Sequence, residues 1–128
     1  MSNFLISYRD LSRTVSKGLA VFRADMPGVM KGFNDLAREA TSAGVLDSKT
    51  KKLMAVALGV SAQSDACLGF HVQALVRLGA TKAELEETLA MAAYMGGGPS
   101  LMYAANAISA FGEFSGALVN SGSMEVSK

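Results

Sequence analysis

Apolar residues in this chain recur three and four positions apart, in stretches separated by glycine, proline and capping residues, while strand-type alternation is nearly absent. That period predicts amphipathic helices, each burying one face against a shared core. The first stretch runs from about Leu5 to Phe22. Pro27, after Asp25 and Met26, predicts a second start, because proline fits the first helical position; this helix carries Val29, Met30, Phe33 and Leu36 on one side and ends near Gly44. Asp47 predicts the cap of a third helix, Ser48 to about Ser61, whose apolar side includes Leu53, Ala55, Val56, Leu58 and Val60. A break at Gln63-Ser64-Asp65 leads into a fourth, which carries Cys67, Phe70, His71, Ala74, Leu75 and Leu78 and stops at Gly79.

Thr81, followed three residues later by Glu84, is a capping box that opens a fifth helix through Leu85, Leu89, Met91 and Ala92. The run Gly96-Gly97-Gly98 ends it, because glycines are costly inside a helix, and Pro99 starts a sixth with Leu101, Met102, Ala105, Ile108 and Phe111. From about Ser115 the residues turn small and polar, so 116–128 is expected to be a flexible tail. The expectation is an all-α fold of about six helices in one domain spanning 1–128, with its core at about 5–115.

Composition adds that one such domain has much apolar surface to hide. Half of the 128 residues are hydrophobic and only 18% are charged, which in so small a body points to a homo-oligomer. Met91, Met95 and Met102, with Tyr94 and Tyr103, are read as core or subunit-interface residues. Twelve basic against eleven acidic residues, with no basic stripe interleaved with aromatics, give no nucleic-acid footprint. The first ten residues lack the order of a secretory signal, and no apolar run reaches the ~18 residues of a membrane span. A single cysteine excludes an internal disulfide and fits a reducing compartment, so the expected location is the cytoplasm.

Chemistry concentrates in one place. The only cysteine and the only histidine, Cys67 and His71, lie four apart, so on a helix they share a face. With Ser64 as N-cap, Cys67 falls in the first turn, where the helix dipole favours negative charge, and His71 is in position to accept a proton. The alternative is equally physical: a cysteine packed as a small hydrophobe and a histidine bonded to a carbonyl. Two ligands fall short of a zinc site, with Asp65 the one nearby carboxylate, and neither a metal nor another cofactor is expected.

The segments Leu46–Leu53, Ser64–His71 and Leu78–Leu85, with Met95-Gly96-Gly97-Gly98-Pro99, together resemble the carboxymuconolactone decarboxylase family, and within it the alkylhydroperoxidase D-like (AhpD-like) branch, over about residues 44–112. The resemblance implies an all-helical fold that assembles into dimers, trimers or hexamers. It also implies a site made of a glutamate, a Cys-x-x-Cys pair and a histidine, in which the cysteines cycle between dithiol and disulfide and the other two pass protons. Cys67 and His71 match the second cysteine and the histidine, whereas Ser64 replaces the first cysteine and Lys52 the glutamate.

Three expectations follow. The foremost is a thiol-dependent peroxidase or oxidoreductase in which Cys67 attacks a hydroperoxide, His71 assists, and an external thiol reductant regenerates the enzyme. The second is non-redox acid–base chemistry on a small organic acid or lactone, with His71 as proton donor or acceptor. The third is an oligomeric scaffold that has lost catalysis. Ser64 is expected to cap its helix, and Lys52 to be solvated or, alternatively, to direct its ammonium into the site.

Overall fold

In the computed structural model, which describes residues 7–122 and side chains as far as Gly116, the described residues form six helices. They are α1 (Tyr8–Asp25), α2 (Pro27–Thr41), α3 (Ser48–Ser61), α4 (Asp65–Arg77), α5 (Lys82–Gly96) and α6 (Gly98–Gly122). The expected start of α1 near Leu5 lies outside the described residues.

Three starts are set by caps legible in the sequence. Asp47 accepts the Thr50 N–H at 2.7 Å, and Ser64 Oγ accepts the Cys67 N–H at 3.2 Å. Thr81 and Glu84 close a reciprocal box, at 3.1 and 2.9 Å. Each cap satisfies a donor that the helix cannot, worth about 1 kcal/mol. Two stops are also as expected from composition: α4 gives way to Gly79 at φ 81°, and the α5–α6 corner turns on Gly97 at φ 76°. The glycine run is thus a tight turn with a single residue between helices, and α6 begins at Gly98 rather than Pro99. Its far end differs as well. The helix continues to Gly122, past the point where small polar residues predict a tail, because Gly and Ser lower helix propensity without forbidding it. Residues 123–128 of that expected tail lie outside the described residues.

The core is built by α3 to α6 with the N-terminal half of α1 laid on α4 and α6. Leu68, Val72 and Leu75 of α4, Val56 and Val60 of α3, and Leu85 of α5 are fully buried. The side of α6 that faces them is Ala104, Ala107, Ala110 and Phe114, spaced three and four apart. Small side chains there allow close approach of helix axes, while the larger Leu101 and Met102 point to the outside, 60% and 68% exposed.

Polar ties lock α1 to this core. The Tyr8 hydroxyl donates to Asp65 Oδ1 at 2.7 Å, and Asn106 Nδ2 donates to the same oxygen at 3.3 Å, so one carboxylate joins α1, α4 and α6. Glu113 of α6 accepts the backbone N–H groups of Tyr8 (2.7 Å) and Arg9 (3.2 Å) and the Ser7 hydroxyl (3.0 Å), placing a carboxylate at the positive end of α1. None of these contacts across the chain is visible in local sequence pattern.

The second helix is different. Only Met30 of α2 is buried; Val29, Phe33 and Leu36, expected on its packed side, are 52%, 62% and 63% exposed in the single chain. The body holds α2 by its end: Lys51 of α3 donates to the carbonyls of Ala40 (3.0 Å) and Ser42 (2.7 Å). Among the described residues, no helix is long and apolar enough to cross a membrane.

Candidate active site between helices three and four

One face of α3 carries Lys52, Ala55 and Gly59, continued by Ala62 at its C-cap, at spacings of three and four, and meets the face of α4 that carries Cys67 and His71. Gly59 permits the close approach. A Cβ there would stand 3.3 Å from Cys67 Cβ, tighter than an ordinary contact, and 3.5 Å from Leu68 Cδ2. The small residues leave a cavity of about 330 Å³ lined by Ala55, Leu58, Gly59, Ala62, Cys67 and His71. Its walls are mainly apolar, and His71 is the one ionisable lining side chain besides the Cys67 thiol.

His71 is half-buried, with its Nδ1 3.4 Å from the Nζ of Lys52. An ammonium can only donate, so Nδ1 accepts and the proton of the neutral ring resides on Nε2. Burial, and secondarily the Lys52 charge, hold the imidazole below its ordinary value of 6.5, so at neutral pH the ring is uncharged. Lys52 does not line the cavity. It stands behind the ring, and of its two expected positions, in solvent or at the site, the structure has the second, directed at the histidine rather than the thiol.

Ser64 has the structural role expected of it, its Oγ engaged by the Cys67 N–H. Asp65 turns away from the site to Tyr8 and Asn106. Cys67 is free and exposed. No hydrogen bond joins it to His71 among the described residues, although the two share a face. The connection between these helices passes through Gln63 at φ 58°, a left-handed conformation uncommon for a residue with a side chain.

These findings correct the foremost expectation. The dithiol cycle implied by the resemblance needs two thiols, and the chain has one; its partner position is a serine whose oxygen caps a helix. The base assigned to the thiol is bonded to a lysine instead. The thiol-dependent peroxidase reading fails on this, and with it the hydroperoxide substrate and the external thiol reductant lose their role. Sequence reasoning also passed over Gly59 and Ala62 and took Ala55 only as part of an apolar helix side, although small residues at spacings of four and three on one face were the available signal.

Comparison with known proteins agrees with this architecture. The model of the carboxymuconolactone decarboxylase family matches residues 27–110. A solved structure described as apo-lpg0406, a carboxymuconolactone decarboxylase family protein from Legionella pneumophila, is 56% identical, with a TM-score of 0.83 over 84% of this chain and 96% of that one. A family protein from Thermotoga maritima is similar at 28% identity and a TM-score of 0.67, covering 71% of this chain and 94% of the other. Among curated proteins, the uncharacterized protein H16_B0147 of Cupriavidus necator is 41% identical over 66% of this chain and 75% of its own length.

Proposed function

Since the chain belongs to the carboxymuconolactone decarboxylase family, we propose that it performs non-redox proton transfer on a small organic acid or lactone, with His71 as the proton donor. The observation that carries this reading is the Lys52–His71 pair, of which the imidazole lines the cavity and the lysine does not. A neutral imidazole whose Nδ1 is occupied presents Nε2–H as its free donor. Loss of carbon dioxide from a carboxylate leaves a carbanion or enolate that must take up a proton. In the proposed step the Nε2 proton goes to that carbon while Nδ1 takes a proton from the Lys52 ammonium. The lysine amine then takes its proton back from Nδ1 as water reprotonates Nε2, which restores the starting tautomer. The half-buried position of the ring strengthens each of these interactions relative to bulk water.

Cys67 in this reading is a wall of the cavity and Ser64 a helix cap, so neither transfers protons. The protein acts in the cytoplasm as a homo-oligomer, a dimer, trimer or hexamer, which supplies the cover that Val29, Phe33 and Leu36 lack in one chain.

The test is turnover of a panel of small unsaturated acids and lactones, followed by loss of substrate absorbance, by the wild-type chain, Cys67→Ala and His71→Ala. Activity that survives Cys67→Ala nearly intact and falls at least about a hundredfold in His71→Ala is expected for a proton donor. Activity that His71→Ala leaves unchanged would reject the assignment. No turnover of any member of the panel, with assembly intact, would favour a scaffold instead.

A further inference from the structure

A second cavity, of about 350 Å³, lies between α1 and α4, lined by Arg9, Ser12, Arg13, Ser16, Phe70 and Gln73. It shares no lining residue with the His71 cavity and opens on a different face of α4. Arg9 and Arg13 are one helical turn apart, so two like charges are held on one face, an arrangement that is unfavourable by itself. Arg13 is the less compensated of the two, and the partner of Arg9 is shared. Arg9 meets Glu113 Oε2 at 3.4 Å, but that carboxylate already serves the Tyr8 and Arg9 N–H groups and the Ser7 hydroxyl; the guanidinium also reaches the Glu113 carbonyl at 3.5 Å and lies 5.9 Å from the Phe114 ring centroid. Among the described residues Arg13 has only Asp10, at 3.4 Å on the exposed surface.

A second observation comes from beneath the arginines. Ser12 is 8% exposed, and its Oγ is the one buried side-chain polar atom without a hydrogen-bond partner among the described residues. Such an orphan hydroxyl costs about 1–3 kcal/mol, so its persistence calls for a partner. Gly69 of α4 makes room for the hydroxyl: a Cβ there would come within 2.7 Å of that Oγ. The floor of the cavity thus holds an unused hydroxyl, its rim two guanidiniums, and its α4 wall one aromatic ring and one amide.

We propose that this cavity binds a small organic carboxylate, gripped by Arg9 and Arg13, with its apolar part on Phe70 and with Ser12, Ser16 and Gln73 hydrogen-bonded to its oxygens. Guanidinium forks match the two oxygens of a carboxylate, and Phe70 distinguishes an organic anion from an inorganic one. The Ser12 hydroxyl reaches the ligand by a change of rotamer. This site is separate from the proton-transfer cavity and stands or falls independently of it.

Amide NMR of the full chain, titrated with benzoate at constant ionic strength, tests the proposal. Saturable shifts are expected at the amides of α1 from Arg9 to Ser16 and of α4 from Phe70 to Gln73. Arg13→Gln, a surface change that leaves the fold intact, should weaken binding at least about tenfold, and Ser12→Ala by a smaller factor. Neutral benzyl alcohol should not bind. Shifts that fail to saturate, an affinity unchanged in Arg13→Gln, or shifts centred on Cys67 and His71 would each overturn the assignment. Inorganic phosphate binding as tightly as benzoate would overturn the organic part of it.

Discussion

The interior formed by α4 and α6 and the arm formed by the end of α1 with α2 are both amphipathic helices, yet only the first finds its partner within the chain. Leu68, Val72, Leu75, Ala107 and Ala110 are fully buried. On the arm, Leu19, Val21, Phe22, Val29, Phe33 and Leu36 remain between 38% and 63% exposed. Hydrophobic periodicity reports that a face will be buried and is silent on what buries it. Large side chains need not mark the interior either: α6 faces the core with alanines, and its Leu101 and Met102 face outward.

The largest expected effect separates the two regions directly. Leu68→Ala removes a fully buried side chain and should cost about 2–5 kcal/mol in denaturant unfolding. Phe33→Ala removes a larger but exposed one, and should change the unfolding of dilute single chains by less than about 0.5 kcal/mol. Its effect should instead appear in light scattering as a concentration-dependent loss of assembly. Equal destabilisation by both changes at low concentration would mean that the arm is covered within one chain.

A smaller effect probes the tie between the regions. Tyr8→Phe removes the hydroxyl that α1 contributes to Asp65, while Asn106 still donates to the same oxygen. The expected loss is about 1–2 kcal/mol, measured by denaturation, because the partly buried carboxylate oxygen keeps one of its two donors. In the intact protein, burial first and then the hydrogen bond and charge of Asp65 push the Tyr8 phenol far above its ordinary range, so its hydroxyl remains a donor throughout neutral and mildly alkaline pH.

Why some of this was legible follows from where the information resides. Asp47, Ser64 and Thr81 act on donors three residues away, so their caps stand in the local sequence. So did the pairing of Cys67 and His71 on one face, from their spacing. The direction of Lys52 did not: its partner is nineteen positions away, and only the packing of α3 on α4 chooses between solvent and imidazole. The grip of Glu113 on the start of α1 and the bond from Tyr8 to Asp65 are equally long-range. The redox expectation failed first because the chain has one thiol where the dithiol cycle needs two, and the packing adds a second reason. A shared face places a thiol and an imidazole near one another, but it does not make the imidazole serve the thiol when a lysine on the adjoining helix competes for the ring.

The smallest effect concerns the boundary between the sealed interior and the open outer side of α3, where His71 is half-buried beside an exposed Leu58. Its ring stays neutral because burial and the neighbouring ammonium both oppose a second proton. Above its ordinary value of 6.5, His71 is neutral in the folded and the unfolded chain alike and adds no pH dependence. As pH falls below that value, the unfolded chain takes up the proton first, so stability declines until the folded ring titrates too. Lys52→Met keeps the length of the side chain and removes the charge. The His71 titration midpoint, followed by imidazole NMR, should rise towards the ordinary value without reaching it, since burial is the larger cause and remains. The acid-side loss of stability should shrink in step. A midpoint unmoved by the substitution would place the ammonium in solvent, and the donor role of His71 would then rest on burial alone.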